Sequence, residues 1–138
     1  MIESYLLQFG ESIGVSNLQF GPKDCLSFDV ERSGVVYIER AEEEIFFYVL
    51  KDFNTLQLPY VYYQEALSMM AHQESYAFVV HAIAKKADRI GFFLRLPERQ
   101  CDLPMINRVF TFLLNLVHSL EEKAQAAVKE AGRINVIN

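Results

Sequence analysis

Tryptophan is absent from this 138-residue chain, and proline (four), histidine (three) and cysteine (two) are scarce. Each scarcity excludes something. Cys25 and Cys101 lie far apart with no histidine cluster beside either, so the short-spaced ligand pairs of a structural zinc site are missing, and two reduced thiols are expected. The six glycines are scattered and form neither G-x-x-x-x-G-K nor G-x-G-x-x-G, which removes a phosphate-cradling loop. A G-x-S-x-G nucleophile elbow is missing too. Lys and Arg total 13 against 18 Asp and Glu, a net charge of -5, which leaves little with which to grip a phosphate backbone. No run approaches the roughly 20 apolar residues of a membrane span, since Thr111 and Asn115 interrupt Val109 to Val117. Met1-Ile2-Glu3-Ser4 carries neither the basic nor the apolar region of a signal peptide, so a cytoplasmic location is expected.

What the chain has in quantity is apolar and aromatic side chain: 51% hydrophobic and 13% aromatic, with eleven Phe and seven Tyr. That is too apolar for a disordered chain and enough for a real core. Without linker, repeat or low-complexity tract, residues 1–131 read as one domain, and 132–138 as a frayed tail.

The hydrophobic period changes along the chain. Ile2, Leu6, Phe9 and Ile13 recur at helical spacing, Gly14 offers a stop, and Leu7 falls outside the stripe. From Cys25 the period is two: Leu26, Phe28 and Val30 alternate with Cys25, Ser27 and Asp29. After Glu31-Arg32-Ser33-Gly34 a second strand covers 35–39, and the acidic Ala41-Glu42-Glu43 turns the chain into a third over 45–51. That third strand is apolar on both sides, Ile45, Phe47 and Val49 on one and Phe46, Tyr48 and Leu50 on the other, so both sides are expected to be covered. Residues 60–73 read as a second helix after Pro59, and 76–85 and 90–96 as an antiparallel hairpin joined around 87–89. Asp102 suits an N-cap, with Pro104 in the first turn of a long helix striped by Ile106, Val109, Phe110, Leu113, Val117, Leu120 and Ala124. The order α-β-β-β-α-β-β-α makes an α+β fold, a mostly antiparallel twisted sheet packed by helices.

Chemistry-bearing constellations are few. His72, His81 and His118 are dispersed, and Glu42, Glu43 and Glu44 read as a solvated turn. Lys85, Lys86, Arg89, Arg95 and Arg99 make a weak positive zone without the exposed aromatics of a nucleic-acid reader. No catalytic residue, cofactor site or metal site is expected. Surplus apolar surface is the stronger signal. The second helix carries Tyr62, Tyr63, Ala66, Leu67, Met69 and Met70 on one wide arc, with residue types suited to a subunit interface, and a dimer through Tyr62, Tyr63, Ala66, Met69 and Met70 is expected. Leu7, Phe46, Tyr48 and Leu50 form a second surplus set, suited to one wall of a groove for a partner segment.

These patterns together resemble the small acidic cytosolic chaperones of type III secretion systems, the class that serves effectors and other exported substrates. The resemblance covers residues 3 to 125. It rests on the first helix ending in Glu11-Ser12-Ile13-Gly14, on Leu26-Ser27-Phe28-Asp29 leading to Gly34-Val35-Val36-Tyr37-Ile38, and on Leu58-Pro59. It continues in Leu94-Arg95-Leu96-Pro97, then Asp102-Leu103 and Phe110-Thr111-Phe112-Leu113-Leu114. Where many relatives end the second helix in a Leu-Leu-x-x-Asn type sequence, this chain has Met69-Met70-Ala71-His72. The resemblance implies a homodimer without enzymatic activity. It further implies that the N-terminal segment of a secreted effector or other type III substrate is held unfolded in apolar grooves, by added strands and short helices. Some relatives also dock on the secretion ATPase. The rival expectation is a regulatory or ligand-binding module of profilin or roadblock type, for which His81, Tyr48 and Arg95 are the polar groups to converge on a pocket.

Overall fold

The computed structural model describes residues 1–52, 59–85 and 89–137. Helix α1 (Ile2–Ser12) buries Ile2, Leu6 and Phe9, the stripe read from the sequence. Three strands follow as a meander: β1 (Cys25–Val30), β2 (Gly34–Ala41) and β3 (Glu44–Asp52), each antiparallel to the next. Glu42 and Glu43 form the β2–β3 turn with φ of 52° and 67°, the two left-handed residues of a tight hairpin connection. The β1–β2 turn ends on Gly34 at φ 128°, where a Cβ would also lie 2.3 Å from the Leu50 carbonyl oxygen, so only glycine fits.

After helix α2 (Pro59–Met70) come β4 (His81–Lys85), β5 (Arg89–Pro97) and the long helix α3 (Leu103–Ile137). The five strands are ordered β1-β2-β3-β5-β4, antiparallel throughout. α3 lies against β3 and β5, with α1 and α2 packed beside it, so all three helices cover one face of the sheet. Leu26, Val36, Ile38, Ile45, Phe47, Val49, Ile90, Phe92 and Leu94 point into that side and meet Ile106, Val109, Leu113, Val117 and Leu120 of α3. Phe9, Phe28 and Phe110 close the α1 end as a ring cluster, with Phe9 edge-on to Phe110 at 5.1 Å. α3 begins as its sequence foretells: the Asp102 carboxylate accepts the Met105 N–H at 3.0 Å. By length and composition alone this helix could cross a membrane. Its apolar stripe, though, is the middle of the protein core.

Three expected boundaries move. α2 stops at Met70 and a single tight turn over Gln73–Ser75 follows. β4 starts at His81 instead of Tyr76 because the intervening segment bonds elsewhere: Tyr76 Oη donates to the Met69 carbonyl at 3.1 Å, and Val80 N–H to Gln73 Oε1 at 3.1 Å. α3 is helical through Ile137, past residue 132, where the tail was expected to begin. Leu58, Lys86 and the connection 86–88 lie outside the described residues.

Candidate protein-binding face

Strand alternation sends the other half of the sheet's side chains to the face without helices. In the observed register Tyr37, Tyr48, Phe93 and His81 stand in one row across four adjacent strands, β2, β3, β5 and β4. Tyr48 stacks on Phe93 at 5.2 Å and His81 stacks on Phe93 at 5.0 Å, both at 27° between planes. Phe46 continues the stack along β3, 6.4 Å from Tyr48. Tyr37 reaches towards β5 and β4: its hydroxyl accepts from Arg89 Nη1 at 3.4 Å, and Lys85 Nζ lies 5.5 Å from its ring centroid. Beside this row β5 comes unusually close to β3 at Gly91, the β5 partner of Leu50. A Cβ there would lie 1.8 Å from the Val49 carbonyl oxygen. Val35 and Ile83 extend the apolar area on the Leu50 side of the row. Burial raises the Tyr48 phenol above its ordinary range, with the neighbouring Glu39 carboxylate adding to the effect, so the ring is neutral at physiological pH.

Charges rim this face. Glu39 on β2 and Arg95 on β5 both stand opposite Phe46 of β3. Arg95 Nε is 3.5 Å from the Glu44 carboxylate, in a pair whose arginine side chain is 63% exposed.

The expected site residues are dispersed. In α2, Tyr62, Ala66 and Met69 are buried in the chain's own core at 2%, 1% and 5% exposure, and Leu67, expected on their arc, stands away from it at 68%. The reason is helical phase: these three share the side turned to α3, and the opposite side presents Tyr60 and Leu67. Tyr63 and Met70 are half-buried between the two. Nor do Leu7, Phe46, Tyr48 and Leu50 form one wall. Leu7 is exposed on α1 in the helix layer, Phe46 and Tyr48 are half-buried on the opposite face, and Leu50 is buried. Tyr37 and Phe93 are the members of the aromatic row that sequence reasoning missed. Period-two alternation puts each opposite a core neighbour, but only the register brings them together.

His81, Tyr48 and Arg95 share the open sheet face, the three polar groups of the ligand-module expectation. A cleft of about 660 Å³ opens elsewhere, beside the start of α1, lined by Met1, Tyr5, Glu43, Glu98 and Arg99 among others. The Ser33 hydroxyl and His118 Nε2 are 2.8 Å apart, but Ser33 is only 3% exposed, so this hydrogen bond ties the β1–β2 turn to α3 and is closed to a substrate. Cys101 is buried, and desolvation, reinforced by Glu98 and Asp102, pushes its thiol up to about 12, the setting of an inert side chain. Among the described residues no three His, Cys, Asp or Glu side chains converge as metal ligands.

A helix-covered antiparallel sheet of this order is the fold of chaperones that accompany secreted proteins. One chain of the ExsC–ExsE complex is 14% identical and superposes with a TM-score of 0.66, over 84% of this chain and 87% of that one. The ExoU–SpcU heterodimer from the type III secretion system of Pseudomonas aeruginosa gives 21% identity and a TM-score of 0.63, over 89% and 97%. The Yersinia pestis type III secretion chaperone SycH, solved with a fragment of YscM2, gives 14% and 0.62, over 87% and 99%. No curated protein sequence matches. The family follows from sequence: the model of the type III secretory system chaperone SycN matches residues 1–121, and the chain belongs to that family.

Proposed function

We propose that this chain is a dimeric, non-enzymatic chaperone of the bacterial cytoplasm that holds the N-terminal segment of an effector or other type III substrate in export-ready form. Family membership supports the class. The observation that carries the binding role is large apolar side chain left at the surface of so small a domain: Leu7, Tyr60, Leu67 and Val79 are 38%, 54%, 68% and 75% exposed. Val79 follows Phe78, which with Phe112 and Arg108 lines an open groove of about 430 Å³ between the segment before β4 and α3. Apolar surface of this kind, on a protein kept soluble by net charge, marks a site for another chain. Leu7, Tyr60 and Leu67 stand on helices of the layer that covers the sheet, and this supports assigning the client's segment to that layer, with Leu7 among its contacts.

The test is co-expression with the exported protein retained by the tagged chain in its own bacterium, followed by capture of that protein's N-terminal segment in vitro. Leu7→Asp and Leu67→Asp alter exposed positions and should leave the melting temperature nearly unchanged while capture falls about tenfold, the scale of losing one well-packed apolar anchor. Full capture by both variants, or retention of no exported protein at all, would overturn the reading.

A further inference from the structure

The groove between α3 and the segment before β4 has two chemically different linings. One is aromatic: Phe78 and Phe112 meet edge to face at 5.2 Å. The other is polar: Asn107, Thr111 and Asn115 follow one another at four-residue intervals along α3, and all three are exposed. Asn107 Nδ2 donates one hydrogen to the Leu103 carbonyl at 3.1 Å, which leaves its second N–H and its Oδ1 open. Among the described residues nothing bonds the Thr111 hydroxyl or the Asn115 amide. The Arg108 guanidinium lies 5.4 Å from the centre of the Phe78 ring, and among the described residues no carboxylate pairs with it. In a chain of net charge -5 this groove therefore keeps a cation in reserve. The polar spacing has a metric. Four helical residues rise about 6 Å, and the row they form is inclined by about 26° to the axis, so its step is about 6.7 Å. Two residues of an extended chain advance about 6.6 Å, and alternate residues turn their N–H and C=O to the same side.

We propose that Asn107, Thr111 and Asn115 read the main chain of an extended client segment, and that Arg108 pairs with a carboxylate at one end of it. The inference deepens the client reading given above and rests on it. An extended chain entering an apolar groove loses water from its peptide groups, and those groups must be bonded again. Asparagine answers a peptide group in kind, because its side chain offers both a donor and an acceptor. A helical client would leave the row unanswered, since its own backbone groups are already paired. Main-chain contacts are indifferent to side-chain identity, so selection falls to the two other features. Phe78 and Phe112 favour an apolar side chain, and Arg108 favours Asp or Glu beside it. The row spans about 13 Å, or four extended residues. A groove of about 430 Å³ suits a stretch of that length and no more. The segment it takes is short, extended and acidic at the Arg108 end, without proline at the bonded positions.

The test uses the full chain and the N-terminal segment of the exported protein it retains, divided into overlapping synthetic peptides and titrated by fluorescence anisotropy. Peptides that bind are remade with one backbone N-methyl group at a time. Methylation at alternate amides should weaken binding about tenfold, the scale of one main-chain hydrogen bond lost in a desolvated site, and methylation at the amides between should change little. The triple variant N107A/T111A/N115A should bind the parent peptides about tenfold more weakly or worse, and the alternation should vanish with it. Alanine is the better helix former at all three positions, so thermal melts should show no loss of stability. Arg108→Glu should weaken the acidic peptide, and a peptide with Lys in place of its acid should recover binding to that variant. Alternation that persists in the triple variant would mean that the client adds to a sheet edge instead, and overturns the proposal. Peptides that need Leu7 but ignore the triple change and Arg108→Glu also overturn it, while the client reading stands. Retention of no exported protein overturns both.

Discussion

On one side of β3, Ile45, Phe47 and Val49 are closed over by α3 and have between zero and 3% of their surface exposed. On the other side, Phe46 and Tyr48 stay half-open, and only Leu50 is buried. The two sides are about equally apolar in sequence, so apolarity alone does not explain the difference. What differs is the covering. Three helices supply the first side with a second layer. The second side has what its own strands provide: Tyr37 reaching towards Arg89 and Lys85, and the missing side chain of Gly91 beside Leu50. A face finished by helices is a core. A face finished only by neighbouring aromatics is a surface still able to bury area.

Adjacent phenylalanines on β5 offer the largest effect that could break this comparison. Phe92 faces the helices and is wholly buried, while Phe93 belongs to the aromatic row. Phe92→Ala should cost about 3–5 kcal/mol, a fall in melting temperature of roughly 10 °C or more. Phe93→Ala, measured at dilutions where the chain is monomeric, should cost about 1 kcal/mol, the worth of an aromatic contact without a closed cavity. Equal losses in urea unfolding would mean that both faces are core.

Gly91 sharpens the comparison next, because it serves the open face through the backbone. In Gly91→Ala the added methyl meets the Val49 carbonyl oxygen, so β5 must move from β3. The expected loss is about 1–3 kcal/mol. Gly132→Ala is the control: nothing lies within 4 Å of its added carbon, and helical alanine should be neutral or stabilising by up to about 1 kcal/mol. An unchanged urea midpoint for Gly91→Ala would show that the strands can part freely there.

How much of this was legible beforehand follows from whether the signal is local. The α1 stripe, the alternation of Leu26, Phe28 and Val30, the acidic Glu42–Glu43 turn and the Asp102 cap are written within a few residues each, and the folded chain keeps all of them. α2 was ambiguous for a physical reason. A 12-residue helix with apolar groups on both edges does not say which edge meets α3, and it is the Tyr62, Ala66 and Met69 edge that does. The aromatic row was illegible because it is a property of register. Tyr37, Tyr48, Phe93 and His81 come from four strands and share a row only once every hairpin has been aligned. Leu7 was seen to leave its stripe, but which sheet face lay beneath it could not be read from α1 alone.

The smallest expected effect concerns charge at the rim of the helix-covered face, where Arg40 of β2 bridges Glu3 of α1 at 2.6 Å and Glu98 after β5 at 2.9 Å, with its guanidinium 4.8 Å from the centre of the Phe20 ring. The hydrogen bond from Arg40 holds the Glu3 carboxyl down at about 2, against 4.5 unperturbed. A depressed carboxylate favours the folded state above its unfolded value, and that contribution fades as acid protonates it in the folded chain. Glu3→Gln should therefore be slightly less stable than wild type near neutral pH, with the gap closing as pH falls from 4.5 towards 2. The gap is small because Glu3 lies open to solvent, where ion pairs contribute little. Paired thermal melts across that range measure it, and added salt should shrink it by screening. A gap that persists at pH 2 would show that Glu3 acts otherwise than through its charge, and no gap near neutral pH would show that α1 is held to the sheet edge by Ile2, Leu6 and Phe9 alone.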